Sequence, residues 1–229
     1  MSIRTVFFDL GDTLVGIKPE IYADLAQEIS ITSHCPVSSC ELKQAIKEEW
    51  AHRNGEDISW VTTPEQESEY WQTFYHEVLK RLDVNAPPQH LVNLLAQKAA
   101  DPASFICFSD VISTLMALKK IGIKLGMISN AFPSARSILN SFCLIHWFDP
   151  LVLSYEHPWA KPHSDIYEYA LKEADVPPEQ ALFVDDRPQF LSGAKEAGMK
   201  VLLINREHNC KPTRDTICGL GELLITLEK

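Results

Sequence analysis

Five apolar runs, each short and each stopped by a polar group, constrain this chain more than any other feature. They are TVFFD (5–9), KLGMISN (124–130), LVLS (151–154), ALFVDD (181–186) and KVLLIN (200–205). Continuous Val, Ile, Leu and Phe segments without polar alternation predict strands buried on both faces, as in a parallel sheet. Helical segments at 110–121, 134–142, 164–174 and 189–197 are interleaved with the last four runs. Strands alternating with helices predict an α/β fold with a doubly wound parallel sheet. Such sheets bind ligands beyond the carboxyl ends of their strands. Asp9, Ser129, Asn130, Ser154, Asp185 and Asp186 all fall at that edge. Any one of these is equally well explained as a turn former. Asp9, Ser129 and the 185–186 pair together predict a site.

Between the first and second runs the pattern changes. From about Gly16 to Phe105 no segment reads as a strand, and the periodicity is helical. Segment 64–83 places Trp71, Phe74, Tyr75, Val78, Leu79 and Leu82 at the three-and-four spacing of a buried helix face. Thr63, Pro64 and Glu65 form its start: a capping hydroxyl, a proline in the first turn and an acid at the positive end of the dipole. Ser38 with Glu41 forms a capping box for a helix burying Leu42, Ala45, Ile46 and Trp50. Residues 19–30 and 88–99 supply two more helices. The expected organisation is an α/β core from 1–15 and 106–229, with an inserted all-helical cap at 16–105. The aromatic stripe is read as cap core, and no internal repeat is visible.

Composition narrows the function. Acids outnumber bases 31 to 21, a formal net charge of −10. With no basic run, this argues against a nucleic-acid partner. The acidity is concentrated in 16–105, which holds 14 Asp/Glu against 7 Lys/Arg, partly at helix starts such as Glu65, Glu67 and Glu69. No stretch approaches the roughly 18 apolar residues of a membrane span, and the N-terminal run lacks the length and cleavage site of a signal peptide. No membrane partner is expected. The six cysteines, Cys35, Cys40, Cys107, Cys143, Cys210 and Cys218, form no C-x-x-C. They are expected to be reduced and structural in a cytoplasmic protein. No feature specifies an oligomeric state.

Four segments carry a family resemblance. FFDLGDTL (7–14), MISN (127–130), KPHSDIY (161–167) and FVDDRPQFLSGAKEAGM (183–199) resemble, in order and spacing, the four motifs of the haloacid dehalogenase-like hydrolases. The segment between the first two resembles that family's helical C1 cap. The resemblance implies a Rossmann-like core and a Mg2+-dependent hydrolase acting on a small phosphorylated metabolite. Asp9 would be the nucleophile, since a carboxylate at a strand end can form a covalent intermediate. Attack on an anionic phosphoryl group requires neutralising charge, which a magnesium ion on hard oxygen ligands provides. The resemblance implies Asp9, the Gly11 carbonyl and Asp185 as ligands, with Asp186 a direct or water-mediated one. Ser129 and the Asn130 N–H would contact the phosphoryl oxygens, and Lys161 would supply a point positive charge.

One departure matters more than the matches. The family's first motif usually reads Asp-x-Asp-Gly-Thr, and its second acid protonates the leaving group and then activates water. This chain has Gly11 there, followed by Asp12. General acid–base catalysis is typically worth about 10²–10⁴-fold. Asp12 is either a substitute acid or a turn acid bonded to the adjacent flap. Three readings stay open: a phosphatase favouring good leaving groups, a non-catalytic or regulatory phospho-ligand binder, and dehalogenase-like hydrolysis at carbon. The Asp185–Asp186 pair counts against the last, because metal-independent dehalogenases resemble Ser-Asn there. Phe190 stands where related chains carry Asn or Asp. Secondary candidates are His157 and Trp159 beside Lys161, Arg187 as partner of the acid pair, and His52, Arg53 and Trp60 in a cap connection. Cys35 and Cys40 are expected to pack in the cap.

Overall fold

The first apolar run folds as β1 (Thr5–Phe8), with all four side chains buried. In the computed structural model, which describes residues 2–53, 58 and 60–227, β1 is followed by β2 (Val15–Ile17) and α1 (Pro19–Ser33). Next come α2 (Ser39–His52), α3 (Pro64–Arg81), α4 (Gln89–Ala100) and β3 (Phe105–Cys107). Helices and strands then alternate as α5 (Val111–Lys120), β4 (Lys124–Ser129), α6 (Ala135–Ser141), β5 (Leu151–Leu153), α7 (Ser164–Glu173), β6 (Ala181–Asp185), α8 (Pro188–Glu196) and β7 (Lys200–Ile204). The described chain closes with β8 (Thr216–Ile217) and α9 (Gly221–Leu227). The expected doubly wound sheet is present, and its five apolar runs are five of its strands.

The sheet order is β5-β4-β1-β6-β7-β8, and its pairings are parallel. β1 sits between β4 and β6, so the winding changes direction there, at the position where such sheets place ligands. Register brings the strand ends level: Phe8 lies opposite Met127 on one side and Val184 on the other. Phe7, Ile128, Tyr167, Phe183 and Leu191 belong to a continuous buried cluster.

One close approach in this core bears on function. A Cβ on Gly193 of α8 would collide with the Pro162 carbonyl oxygen and come within 2.9 Å of the Tyr167 ring. Glycine therefore lets α8 lie against the segment that begins with Lys161. Gly193→Ala is expected to cost about 1–3 kcal/mol through overpacking, measured by urea denaturation. Unchanged stability would show that Pro162 yields freely.

The described residues fall into two compact units. One comprises Met1–Gly16, Cys107–Phe132 and Leu139–Lys229; the other comprises Ile17–Ile106 and Pro133–Ile138. In the helical unit, α3 packs on α2 and α4, and α1 packs on α2 and α4. The expected capping box of Ser38 with Glu41 forms, and the Thr63 cap proves to be a second one, closed by Gln66. Tyr70, Phe74, Tyr75, Val78 and Leu79 of α3 are buried, joined by Trp50 and Trp71 in aromatic contact. The stripe is core. Buried Glu49 is neutralised by Arg53 at 2.6 Å and Arg81 at 2.9 Å. Glu67, read as a helix-start acid, is buried too. Its carboxylate accepts the Ser134 N–H (2.8 Å) and hydroxyl (2.6 Å), tying residues 133–138 into this unit.

Several features depart from expectation. Short strands β2 and β3 pair as a separate two-stranded sheet at the two points where the chain passes between units. Neither has the length to register as a periodic signal. The same holds for β8, two residues long. The cysteines are not all reduced: Cys210 and Cys218 are joined, while Cys35, Cys40, Cys107 and Cys143 are free thiols. The loop that brings Cys210 and Cys218 together has no C-x-x-C spacing to announce it. Cys40 is exposed rather than packed. Among the described residues no helix is long and apolar enough to cross a membrane.

Candidate active site

Asp9 follows β1 directly and is held by its own main chain, its N–H donating to the Val184 carbonyl at 3.0 Å. The residue is 7% exposed. Its Oδ1 accepts two hydrogen bonds, from the Ser129 hydroxyl at the end of β4 (2.9 Å) and from Lys161 Nζ (2.6 Å). Among the described residues no hydrogen bond reaches Oδ2. One carboxylate oxygen is thus pinned while the other is free to act as a nucleophile or a ligand.

Lys161 lies in the connection between β5 and α7, with a fully buried side chain. Its ammonium bridges Asp9 Oδ1 and Asp185 Oδ2, each at 2.6 Å. Burial opposes that charge, but Asp185 and Asp9 together overcome it and hold the lysine above its ordinary range. The rings of Phe183 and Phe190 face the ammonium at 5.2 and 4.7 Å. Phe190 thus presents an aromatic face to the ammonium, which attracts the cation without accepting a proton. Asn130 fixes the lysine's backbone from the opposite side: its Nδ2 donates to the Lys161 carbonyl (2.8 Å) and its Oδ1 accepts the Lys161 N–H (2.6 Å).

At the end of β6, Asp185 is completely buried. Its Oδ2 accepts from Lys161 and its Oδ1 from the Arg187 N–H at 2.8 Å. Burial raises its pKa and Asp9 adds to the rise, while Lys161 opposes it. Asp186 is pushed up as well, by burial and then by Asp9, Asp185 and Asp12, with Arg187 opposing. Among the described residues the Asp186 carboxylate makes no hydrogen bond. Carboxylate oxygens of Asp9, Asp185 and Asp186 lie within 4.8 Å of one another. Three converging hard oxygen donors whose charge Lys161 only partly balances suit a small divalent cation such as magnesium. Of the two acids on β6, Asp186 is the one not already committed to hydrogen bonds.

Gly11 and Asp12 occupy the turn after Asp9. Asp12 adopts a left-handed backbone, φ 52°, which aspartate tolerates better than most residues. Its N–H donates to the Val15 carbonyl at 2.7 Å. The residue is exposed, but protein matter at longer range desolvates its carboxyl. That desolvation raises its pKa, with Asp9 contributing and Arg187 and Arg206 opposing. The Asp12 carboxyl makes no hydrogen bond among the described residues. Asp12 is also outside the three-acid cluster.

Asp9, Ser129, Asn130, Lys161, Asp185 and Asp186 are thus brought together at one sheet edge, with Gly11 and Asp12 in the adjoining turn. Ser154 supports the β4 end, its hydroxyl accepting the Ala131 N–H at 3.0 Å. Other candidates lie elsewhere. His157 stacks on Trp159, and both rings meet Tyr169 at a tilt. Arg53 is engaged with Glu49, and residues 54–57 and 59 of the cap connection lie outside the described residues. The Asn130 side chain, and not its backbone N–H alone, takes part in the site, and its signal in the sequence is its place at the end of the second apolar run.

Residues 3–198 match the family model of the haloacid dehalogenase-like hydrolases. The chain is 34% identical to the glyceraldehyde 3-phosphate phosphatase of Methanocaldococcus jannaschii, covering 86% of this chain and 82% of that protein. It is 24% identical to haloacid dehalogenase-like hydrolase domain-containing protein 3 of Danio rerio, covering 100% and 98%. Its fold is similar to that of the L-2-haloacid dehalogenase of Xanthobacter autotrophicus, with a TM-score of 0.70, 18% identity and coverage of 99% and 98%.

Proposed function

The chain belongs to the haloacid dehalogenase-like hydrolases, and within that family we propose that it is a magnesium-dependent phosphatase of a small phosphorylated metabolite. The observation that carries this reading is the acid cluster of Asp9, Asp185 and Asp186, with Lys161 bridging the first two. Hydrolysis at carbon releases no group that needs three carboxylates and a cation around it. Transfer of an anionic phosphoryl group does. The relative named as a glyceraldehyde 3-phosphate phosphatase supports a small phosphorylated metabolite as the substrate class.

In this reading Asp9 Oδ2 attacks phosphorus as the bond to the leaving oxygen breaks, giving an aspartyl phosphate. Water then attacks that phosphorus, releasing phosphate and restoring the carboxylate. Lys161 and Ser129 hold Oδ1, orient the nucleophile and offer positive charge and a hydroxyl to the phosphoryl oxygens. Asn130 keeps the Lys161 backbone in place. Asp9, Asp186, Asp185 and the Gly11 carbonyl would hold the magnesium ion, which when bound supplies further positive charge to the phosphoryl group. Position 11 offers no side chain for proton transfer, so substrates whose leaving group departs without a proton are favoured.

Gly11 also favours a second reading, a relative that binds a phosphorylated ligand without turning it over. p-Nitrophenyl phosphate separates the two, because its leaving group needs little protonation. Turnover that appears with magnesium and vanishes with EDTA is expected. No turnover on it or on a broad phosphate panel would contradict catalysis. The acid surplus supports the absence of nucleic-acid and anionic-membrane partners. The four free thiols support a cytoplasmic setting, while the Cys210–Cys218 bond counts against it.

A further inference from the structure

Two residues beyond β7, Arg206 divides its donors between two partners. Nε and Nη2 both donate to the backbone carbonyl of Thr13, at 3.2 and 2.7 Å. Nη1 lies 2.9 Å from each oxygen of Asp110, and the guanidinium carbon sits 4.1 Å from the Phe108 ring centre. Asp110 is itself fixed by the Leu220 N–H at 2.7 Å. The guanidinium is therefore aimed by an acid and an aromatic face before it reaches Thr13. A side chain only 15% exposed, with its planar fork closed on a single carbonyl, is not a solvated surface arginine.

Thr13 is fully buried and closes the turn that begins at Asp9. The start of that turn is tied to the sheet through the Asp9 N–H. Its middle holds Gly11 and the left-handed Asp12, neither of which anchors a side chain by hydrogen bonding. The Thr13 carbonyl and the neighbouring Leu14 carbonyl, which accepts the Phe108 N–H at 3.1 Å, secure its far end. Arg206 and Phe108 thus form one clamp on the loop that presents the nucleophile.

We propose that Arg206 is a positioning residue whose two-donor grip on the Thr13 carbonyl sets the loop carrying the Asp9 carboxylate. Its kinetic consequence rests on the phosphatase reading; its effect on the acid cluster does not. Small misplacements of reacting groups cost about 10²-fold in rate, and partners that orient ligands govern about 10–100-fold in metal affinity or activity. A purely structural Arg206–Asp110 pair would affect melting while leaving the kinetics of the folded enzyme unchanged.

The test compares wild type, Arg206→Lys and Arg206→Met. Arg206→Lys keeps the charge but cannot fork. Two quantities are read: Mn2+ affinity of the metal-stripped protein, from the electron paramagnetic resonance signal of free ion, and kcat and KM for p-nitrophenyl phosphate in magnesium. Both variants are expected to weaken Mn2+ binding and lower kcat by about 10–100-fold, with KM nearly unchanged. Wild-type kcat or wild-type Mn2+ affinity in folded Arg206→Lys would overturn the proposal. That variant decides the matter if Arg206→Met does not fold. If wild type hydrolyses no phosphate ester, the phosphatase reading fails, and Mn2+ affinity alone decides the role of Arg206.

Discussion

Asp9→Asn is expected to lower magnesium-dependent turnover by at least about 10⁴-fold, the scale on which covalent nucleophiles are lost, while the protein stays folded. The amide keeps an acceptor oxygen for Ser129 and Lys161, so the hydrogen bonds at Oδ1 survive. It also removes one negative charge from a cluster in which Asp9 raises the pKa of both Asp185 and Asp186. Relief of that repulsion opposes the weakened pairing with Lys161, so melting should shift little. The amide cannot form an acyl phosphate by direct attack. Kinetics at saturating substrate with a parallel melt provide the check. Turnover within about tenfold of wild type, far short of the loss expected for a covalent nucleophile, would remove Asp9 from that role.

Gly11→Asp is expected to raise turnover of alkyl phosphates by about 10²–10⁴-fold, the usual worth of general acid–base catalysis. p-Nitrophenyl phosphate should gain less, through faster hydrolysis of the aspartyl phosphate alone, because its leaving group needs little protonation. The structure accommodates the change, because a Cβ at Gly11 meets nothing within 4 Å. The left-handed position in this turn is Asp12, not Gly11, so an L-residue at 11 carries no backbone penalty of that kind. The outcome also assigns Asp12. If Asp12 already provides the proton, Gly11→Asp adds little and Asp12→Asn alone suppresses alkyl phosphate turnover. If Asp12 is a turn acid, Asp12→Asn is nearly silent and Gly11→Asp restores function.

What could be read from the sequence follows from the physics of each element. β1, β4 and β6 are buried on both faces, so their composition declares them and their polar ends mark the ligand edge. The helix over Pro64–Arg81 declares itself through the spacing of Phe74, Tyr75, Val78 and Leu79 and through its cap at Thr63. Elements of two or three residues, such as β8 and β2, carry no period to detect. They exist because neighbouring backbone offers them partners. The same limit applies around the site. Asp9, Lys161 and Asp185 sit in recognisable motifs, but the clamp of Arg206 on Thr13 joins residues 193 apart, a distance no local pattern encodes. The contact of Phe190 with Lys161 is equally tertiary: position 190 signalled a missing polar group, not the aromatic face that takes its place. Glu67 departs from the helix-start expectation for a related reason. An acid in the first turn is normally solvated; here the Ser134 N–H and hydroxyl and the Trp71 indole N–H supply the donors that offset its burial.

The central claim, that Asp9 takes the phosphoryl group and that position 11 then lacks the group to speed its release, is tested most directly by mass spectrometry of acid-quenched protein. Enzyme is mixed with p-nitrophenyl phosphate and magnesium, quenched during turnover and weighed intact, with the site located by digestion. The account predicts a hydroxylamine-labile phosphoryl adduct on Asp9 that accumulates in wild type and largely disappears in Gly11→Asp. Steady phosphate release with no adduct in wild type, or an adduct on Asp9 that contains carbon and no phosphorus, would contradict it.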